Sequence, residues 1–189
     1  MKHISQLQDI GLGKRCLIIG GGHSVRSINI DDYPDCTIIS TNNHKHEQAD
    51  IIIYFDKDIN EYYDVTEITP GQKLIGFKHK QINNVCDQCT HYYNYDDIVF
   101  GDTGFHTLQF ADKIFNFSEI FLIVYDYSVF GNSYHHNETV SDIAKQDKFV
   151  NWSIGKVIDK YSEMEWNNRI VNLNPSSNLN IFNKKLDNR

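Results

Sequence analysis

The stretch Lys14-Arg15-Cys16-Leu17-Ile18-Ile19-Gly20-Gly21-Gly22-His23-Ser24-Val25 decides how this chain is read. A run of buried-type β-branched and aliphatic residues ends in three glycines and a hydroxyl. That pattern predicts a first parallel strand passing into a phosphate-cradling turn. Ser24 to Ile30 then reads as a helix whose opening amides face whatever the turn holds, and Asp31-Asp32-Tyr33-Pro34-Asp35 ends it. The plainer alternative is a tight strand-to-helix connection that binds nothing.

Working outward, further apolar runs end in polar groups. Cys36-Thr37-Ile38-Ile39-Ser40-Thr41 stops at Asn42-Asn43-His44, and Ala49 to Phe55 stops at Asp56. Lys73-Leu74-Ile75-Gly76-Phe77 is a short fourth strand. Glu119 to Tyr125 is the clearest strand in the chain, and its lack of alternation predicts burial on both faces, with Asp126-Tyr127 at its end. Arg169 to Leu173 is the last. In open α/β sheets the C-terminal ends of the strands form the ligand-binding edge, which gathers Asn42, Asp56 and Asp126 with the glycine turn.

Between the strands, Ser5 to Gly13 reads as a short helix closed by glycine, capping the sheet edge. Thr103 to Phe115 has apolar positions at helical spacing, which predicts an amphipathic helix capped by Asp102 or Thr103. Asp142 to Tyr161 reads as one or two helices with Phe149, Trp152, Ile154, Val157, Ile158 and Tyr161 on the apolar face. Residues 78–100, rich in Tyr, Asn and His, show no period and receive no assignment. The polar tail 183–189 reads as frayed. With no repeat and no linker, residues 1–189 form one α/β, Rossmann-like domain: a mostly parallel sheet with helices on both faces.

A chain of 189 residues buries roughly 70% of its unfolded surface, so it needs no disulfide or metal to fold. The net charge of −7 argues against a non-specific grip on nucleic acid, which depends on clustered Lys and Arg. The chain shows neither the apolar core of a signal peptide nor a run near the ~20 residues that span a bilayer, so a cytoplasmic protein without a membrane span is expected. Homo-oligomerisation is left open. The four cysteines are expected as thiols. Cys86-Asp87-Gln88-Cys89-Thr90-His91 has the spacing of half a zinc site, but no second pair completes it.

Several of these blocks together resemble the small bacterial sialyltransferases of glycosyltransferase family 42 and the related 6-hydroxymethylpterin diphosphokinase-like family. The resemblance covers most of residues 14–180. It rests on Ile19-Gly20-Gly21-Gly22-His23-Ser24-Val25, Ser40-Thr41-Asn42-Asn43, Tyr54-Phe55-Asp56 and Gly101-Asp102-Thr103-Gly104. It continues through Glu119 to Tyr127, Gly131-Asn132-Ser133-Tyr134 and Asn174-Pro175-Ser176-Ser177.

The resemblance implies a Rossmann-like sheet binding a nucleotide-activated donor, a CMP-sialic-acid-like sugar, as co-substrate with a hydroxyl acceptor. No metal and no tightly bound cofactor are implied. The donor-binding candidates are Gly20, Gly21, Gly22, Ser24, Asn42, Asn43, Asp56, Thr103, Gly104 and Tyr127. The catalytic candidates are His135, His136 and Asp126.

Two departures stand against the family pattern. Gly21 replaces an asparagine, and no histidine follows His136 where the family places its catalytic one. Glycosyl transfer needs a base for the acceptor proton, so His135, His136, Glu138 or Asp142 would have to supply it. The alternatives are a nucleotide-binding protein without turnover, or a phosphotransferase holding Mg²⁺ on carboxylates such as Asp56 and Asp126. A dehydrogenase fits less well, because Asn42 stands where an acidic ribose hook is expected ~20 residues beyond the turn. His23 either reaches a phosphate or points to solvent, and His135-His136 also reads as a solvated loop. His91 to Tyr95 reads as a stacking surface or as edge packing.

Overall fold

The structure, a computed structural model, describes residues 1–20, 29–42, 48–55, 69–78, 89–99, 101–123, 125, 156, 158–174, 177 and 179–184. These residues form one nine-stranded sheet. Its strands are β1 (Lys2–His3), β2 (Arg15–Ile19), β3 (Cys36–Thr41), β4 (Ile51–Tyr54) and β5 (Lys73–Phe77). They continue with β6 (His91–Tyr93), β7 (Glu119–Ile123), β8 (Arg169–Asn172) and β9 (Asn183–Lys184). Every neighbouring pair runs parallel. This is the α/β, Rossmann-like arrangement that the apolar runs predict.

The spatial order is β1-β6-β5-β4-β3-β2-β7-β8-β9. From β2 the chain steps outward through β3, β4, β5 and β6, then returns to the other side of β2 for β7, β8 and β9. The direction of travel therefore reverses between β2 and β7. Ile19 is registered against Ser40 on one side and Ile123 on the other, so β7 ends level with β2 and β3 runs one residue further, to Thr41.

Both faces of the sheet are apolar because a parallel sheet is covered on both sides. Cys16, Leu17 and Ile18 are fully buried and Ile19 nearly so. Alternate side chains enter opposite cores. Cys16, Ile18, Ile39, Ile53, Ile75 and Leu122 lie in one core, and Leu17, Ile19, Ile38, Ile52, Leu74 and Ile123 in the other. The first core is roofed by helix α1 (Thr103–Gln109), through Phe105 and Leu108, and by Tyr161 from the helical residues 158–163. On the second face the described cover includes Ile30 from the 3-10 turn Ile30–Asp32, together with Ala49 and Cys89. Cys89 packs in the core with its Sγ 2.8 Å from the Tyr54 hydroxyl, while Cys86 lies outside the described residues.

Of the two cap candidates for α1, Asp102 takes the role, its carboxylate accepting the Phe105 N–H at 2.7 Å. The helix continues as a π-helical turn, Phe110–Ile114. Burial is unbroken from Phe105 in α1 through Asp112 in this turn, so the helix is covered on all sides and is not the amphipathic one its apolar spacing predicts. Asp112 accepts the N–H groups of Asn167 and Asn168, at 3.0 and 2.9 Å, and the Asn168 amide at 3.0 Å. The Lys113 ammonium lies 3.1 Å from the same carboxylate and also binds Asn167 Oδ1 and the Glu165 carbonyl. This clasp fixes the loop leading into β8.

Three segments differ from expectation. Ser5 to Gly13 contains a 3-10 turn, Ile4–Leu7, instead of an α-helix. Its following amides bond outward, Asp9 N–H to the Ile114 carbonyl and Gly11 N–H to that of Phe115, so tertiary bonds replace a helical ladder. Residues 78–100 contain β6 and the 3-10 turn Tyr95–Asp97, both too short to show a period in sequence. In the tail, Asn183–Lys184 pairs with β8 as an edge strand, so fraying does not begin at 183. Of the segment from Asp142 to Tyr161, residues 156 and 158–161 are helical, and the others lie outside the described residues.

Asp112→Ala removes the acceptor for the part-buried backbone hydrogen bonds from Asn167 and Asn168 and should cost about 2 kcal/mol of folding stability. Chemical denaturation checks this, and a loss below about 1 kcal/mol would show that the clasp is dispensable.

Candidate functional site

Strand order reverses between β2 and β7, and in open α/β sheets ligands bind at the C-terminal strand ends beside such a reversal. Gly20 stands there, directly after β2. The Gly20 N–H donates to the Ile123 carbonyl at 2.9 Å, extending the β2–β7 ladder by one bond. That amide is therefore committed to the sheet. What Gly20 offers a ligand is the absence of a side chain, which allows close approach to the backbone.

One strand over, Thr41 Oγ1 donates to the Ile19 carbonyl at 2.9 Å and so closes the top of the β2–β3 ladder. Asn42 follows with φ of +56°, the left-handed region that asparagine tolerates better than most side chains. Its N–H donates to the Ile53 carbonyl at 2.8 Å, and its carbonyl accepts the Ser40 hydroxyl at 3.3 Å. The backbone is thus fixed on both sides. Asn42 Oδ1, in contrast, is buried and has no hydrogen-bond partner among the described residues. A buried acceptor left unpaired costs about 1–3 kcal/mol, which a ligand donor would recover.

The opening of α1 is tied to the end of β7. Tyr125, two residues beyond β7, is buried and donates its hydroxyl to the Gly104 carbonyl at 3.0 Å. The Ser177 hydroxyl donates to the Tyr125 carbonyl and accepts the Leu179 N–H at 3.1 Å. Burial pushes the Tyr125 phenol well above its ordinary value, with Asp102 and Cys16 adding in the same direction, so it stays a neutral donor. Thr103, beside Gly104, is buried to 9% exposure, and its carbonyl accepts the Thr107 hydroxyl at 2.8 Å.

His106 lies one turn into α1 and is fully buried. Its ring packs edge-on against Phe55 at 5.0 Å, at the end of β4. Gly101 N–H donates to His106 Nε2 at 2.9 Å, which requires that nitrogen to be an unprotonated acceptor. Burial, helped by the positive charge of Lys160, pushes its pKa down to about 3. His106 therefore serves as a neutral strut holding the loop before α1. Gln109 assists, bonding both the N–H and the carbonyl of Val99 at 2.8 Å.

Of the sequence candidates, Gly20, Asn42, Thr103 and Gly104 fall within the described residues and all stand at the C-terminal edge. Gly21, Gly22, Ser24, Asn43, Asp56, Asp126, Tyr127, His135 and His136 lie outside them, as do His23, Glu138 and Asp142. Sequence reasoning missed Tyr125, Ser177 and His106. Tyr125 reads as the last apolar residue of a strand, and His106 as one polar residue on a helix. Only the three-residue spacing from Thr103 to His106 places them on one helical face.

Among the described residues no group of three His, Cys, Asp or Glu side chains comes together to hold a metal ion. No helix among them is long and apolar enough to cross a membrane. A groove of about 390 Å³, lined by Lys14, Asp35, Cys36, Asp50 and Lys73 among others, lies at the opposite, N-terminal edge of the sheet. No known protein family, curated protein or solved structure matches this chain.

Because His106 has its folded pKa lowered, the unfolded state binds the extra proton between about pH 6.5 and pH 3. Its contribution to stability is complete above that window and is lost as the pH falls through it. The measurement is folding stability against pH for the native chain and His106→Gln. The variant should show a shallower acid decline, by up to about 1.4 kcal/mol per pH unit. Identical slopes would contradict the neutral-strut assignment.

Proposed function

We propose that this chain is a nucleotide-dependent transferase that binds a nucleotide-activated sugar, CMP-sialic-acid-like, in the crevice between the C-terminal ends of β2 and β7. The observation that carries the proposal is the coincidence of the glycine turn with the reversal of strand order. Gly20 is held at that point by its bond to Ile123, with Asn42 Oδ1, unpaired among the described residues, one strand away. The likeness of the Gly20–Ser24 turn to the family 42 sialyltransferases supports the choice of donor. The Gly20 N–H is used by the sheet and is not offered to the donor phosphate.

In the proposed reaction the acceptor hydroxyl oxygen attacks the anomeric carbon and the sugar–phosphate bond breaks. The nucleoside monophosphate leaves with the bonding electron pair, and the acceptor proton passes to a base. His135 and His136 are the proposed bases, and Asp126 holds the base or sugar edge of the donor. His106 is unsuited to that task, because its lone pair already accepts the Gly101 N–H. That commitment, with no histidine after His136, favours one second reading: a protein that holds the nucleotide without turning it over.

The experiment is a thermal-shift series with CMP, CDP, UDP and CMP-sialic acid, followed by recovery of each ligand after long incubation. Saturation with the right nucleotide at one hundred times Kd should raise Tm by about 5–10 °C. Release of free sugar and CMP would support transfer, and a stabilising ligand recovered intact would support the binding reading. No stabilisation and no consumption of any donor would reject both.

A further inference from the structure

Tyr125 stands out among the buried polar side chains because it joins two separate segments at the C-terminal end of β7. Its hydroxyl donates to the Gly104 carbonyl in the first turn of α1, and its carbonyl accepts the Ser177 hydroxyl from the segment after β8. Ser177 in turn accepts the Leu179 N–H at 3.1 Å, and Leu179 is fully buried in the first core. The chain of bonds therefore runs from the core below β9, through the end of β7, to the residue beside Thr103.

A helix does not need such a tie in order to form. The N-terminal end of α1 is already capped by Asp102. What the Tyr125 hydroxyl adds is a fixed distance between the opening of α1 and the end of β7. A fully buried phenol bonded at 3.0 Å leaves that distance little freedom.

We infer that Tyr125 is a positioning residue for the ligand bound at the β2–β7 crevice, acting through Thr103, and that Ser177 completes the tie. The inference rests on the proposed nucleotide site and adds to it a residue that assigns how the α1 wall is held in register with the strand end. Pre-organised walls lower the ordering cost of binding, so loss of the tie appears in affinity beyond its effect on folding.

The test compares Tyr125→Phe with Tyr93→Phe, each removing one buried hydroxyl and keeping the ring. Tyr93 donates to the Tyr54 carbonyl at 3.0 Å, at the end of β4, two strands away from β2. Both variants should lose about 2–4 °C of Tm. Calorimetric titration with CMP should give a Kd raised about 5- to 20-fold for Tyr125→Phe and within twofold of the native value for Tyr93→Phe. Ser177→Ala should weaken CMP in the same direction as Tyr125→Phe. Equal affinities in Tyr125→Phe and the native chain, or equal losses in both tyrosine variants, would overturn the positioning role. A native chain that binds no nucleotide would instead reject the proposed site, and the inference with it.

Discussion

The parallel pairing of β2 with β3 and β7 at once is the constraint on which the rest of the molecule depends. All five β2 residues are registered against both neighbours, from Arg15 opposite Cys36 and Glu119 to Ile19 opposite Ser40 and Ile123. A strand paired on both edges has no free backbone, and one buried on both faces has no room for a polar side chain. Cys16-Leu17-Ile18-Ile19 satisfies both demands. Parallel neighbours cannot be joined by tight turns, so each step away from β2 needs a crossover that covers one of the two faces. The reversal between β2 and β7 follows from growing the sheet in both directions, and it falls at the strand end that carries Gly20.

The central strands were legible in the sequence because their burial is continuous. Cys36–Thr41 and Lys73–Phe77 match the observed strands to the residue, and Arg15–Ile19, Glu119–Ile123 and Arg169–Asn172 fall inside the expected runs. The edges were not legible. β1 and β9 are two residues each and β6 is three, too short for hydrophobic alternation to register. The π-helical turn was hidden for a different reason. Its signature is a buried aspartate, Asp112, whose partners Asn167 and Asn168 lie more than fifty residues away.

The candidate site divides along the same line. Gly20 and Asn42 announce themselves as a glycine and an asparagine at the ends of apolar runs, and they stand where strand order places them. Tyr125 and His106 do not, because each acts through a non-local bond to a backbone group, Gly104 carbonyl in one case and Gly101 N–H in the other. The contrast between His106 and Asn42 also gives the site its chemical character. His106 is buried, neutral and engaged as an acceptor, whereas Asn42 presents a buried carboxamide oxygen without a partner among the described residues. The described residues at the C-terminal edge thus offer an acceptor to a hydrogen-bond donor and fix the start of α1.

The central claim is that a nucleotide occupies the C-terminal edge of the sheet at the β2–β7 reversal. A crystal structure of the native chain soaked with CMP tests it most directly. The account predicts nucleotide density over Gly20, between the ends of β2 and β7, with a ligand donor within hydrogen-bond distance of Asn42 Oδ1. Density in the groove at the N-terminal edge beside Cys36, or a crevice that stays empty at saturating CMP, would contradict it.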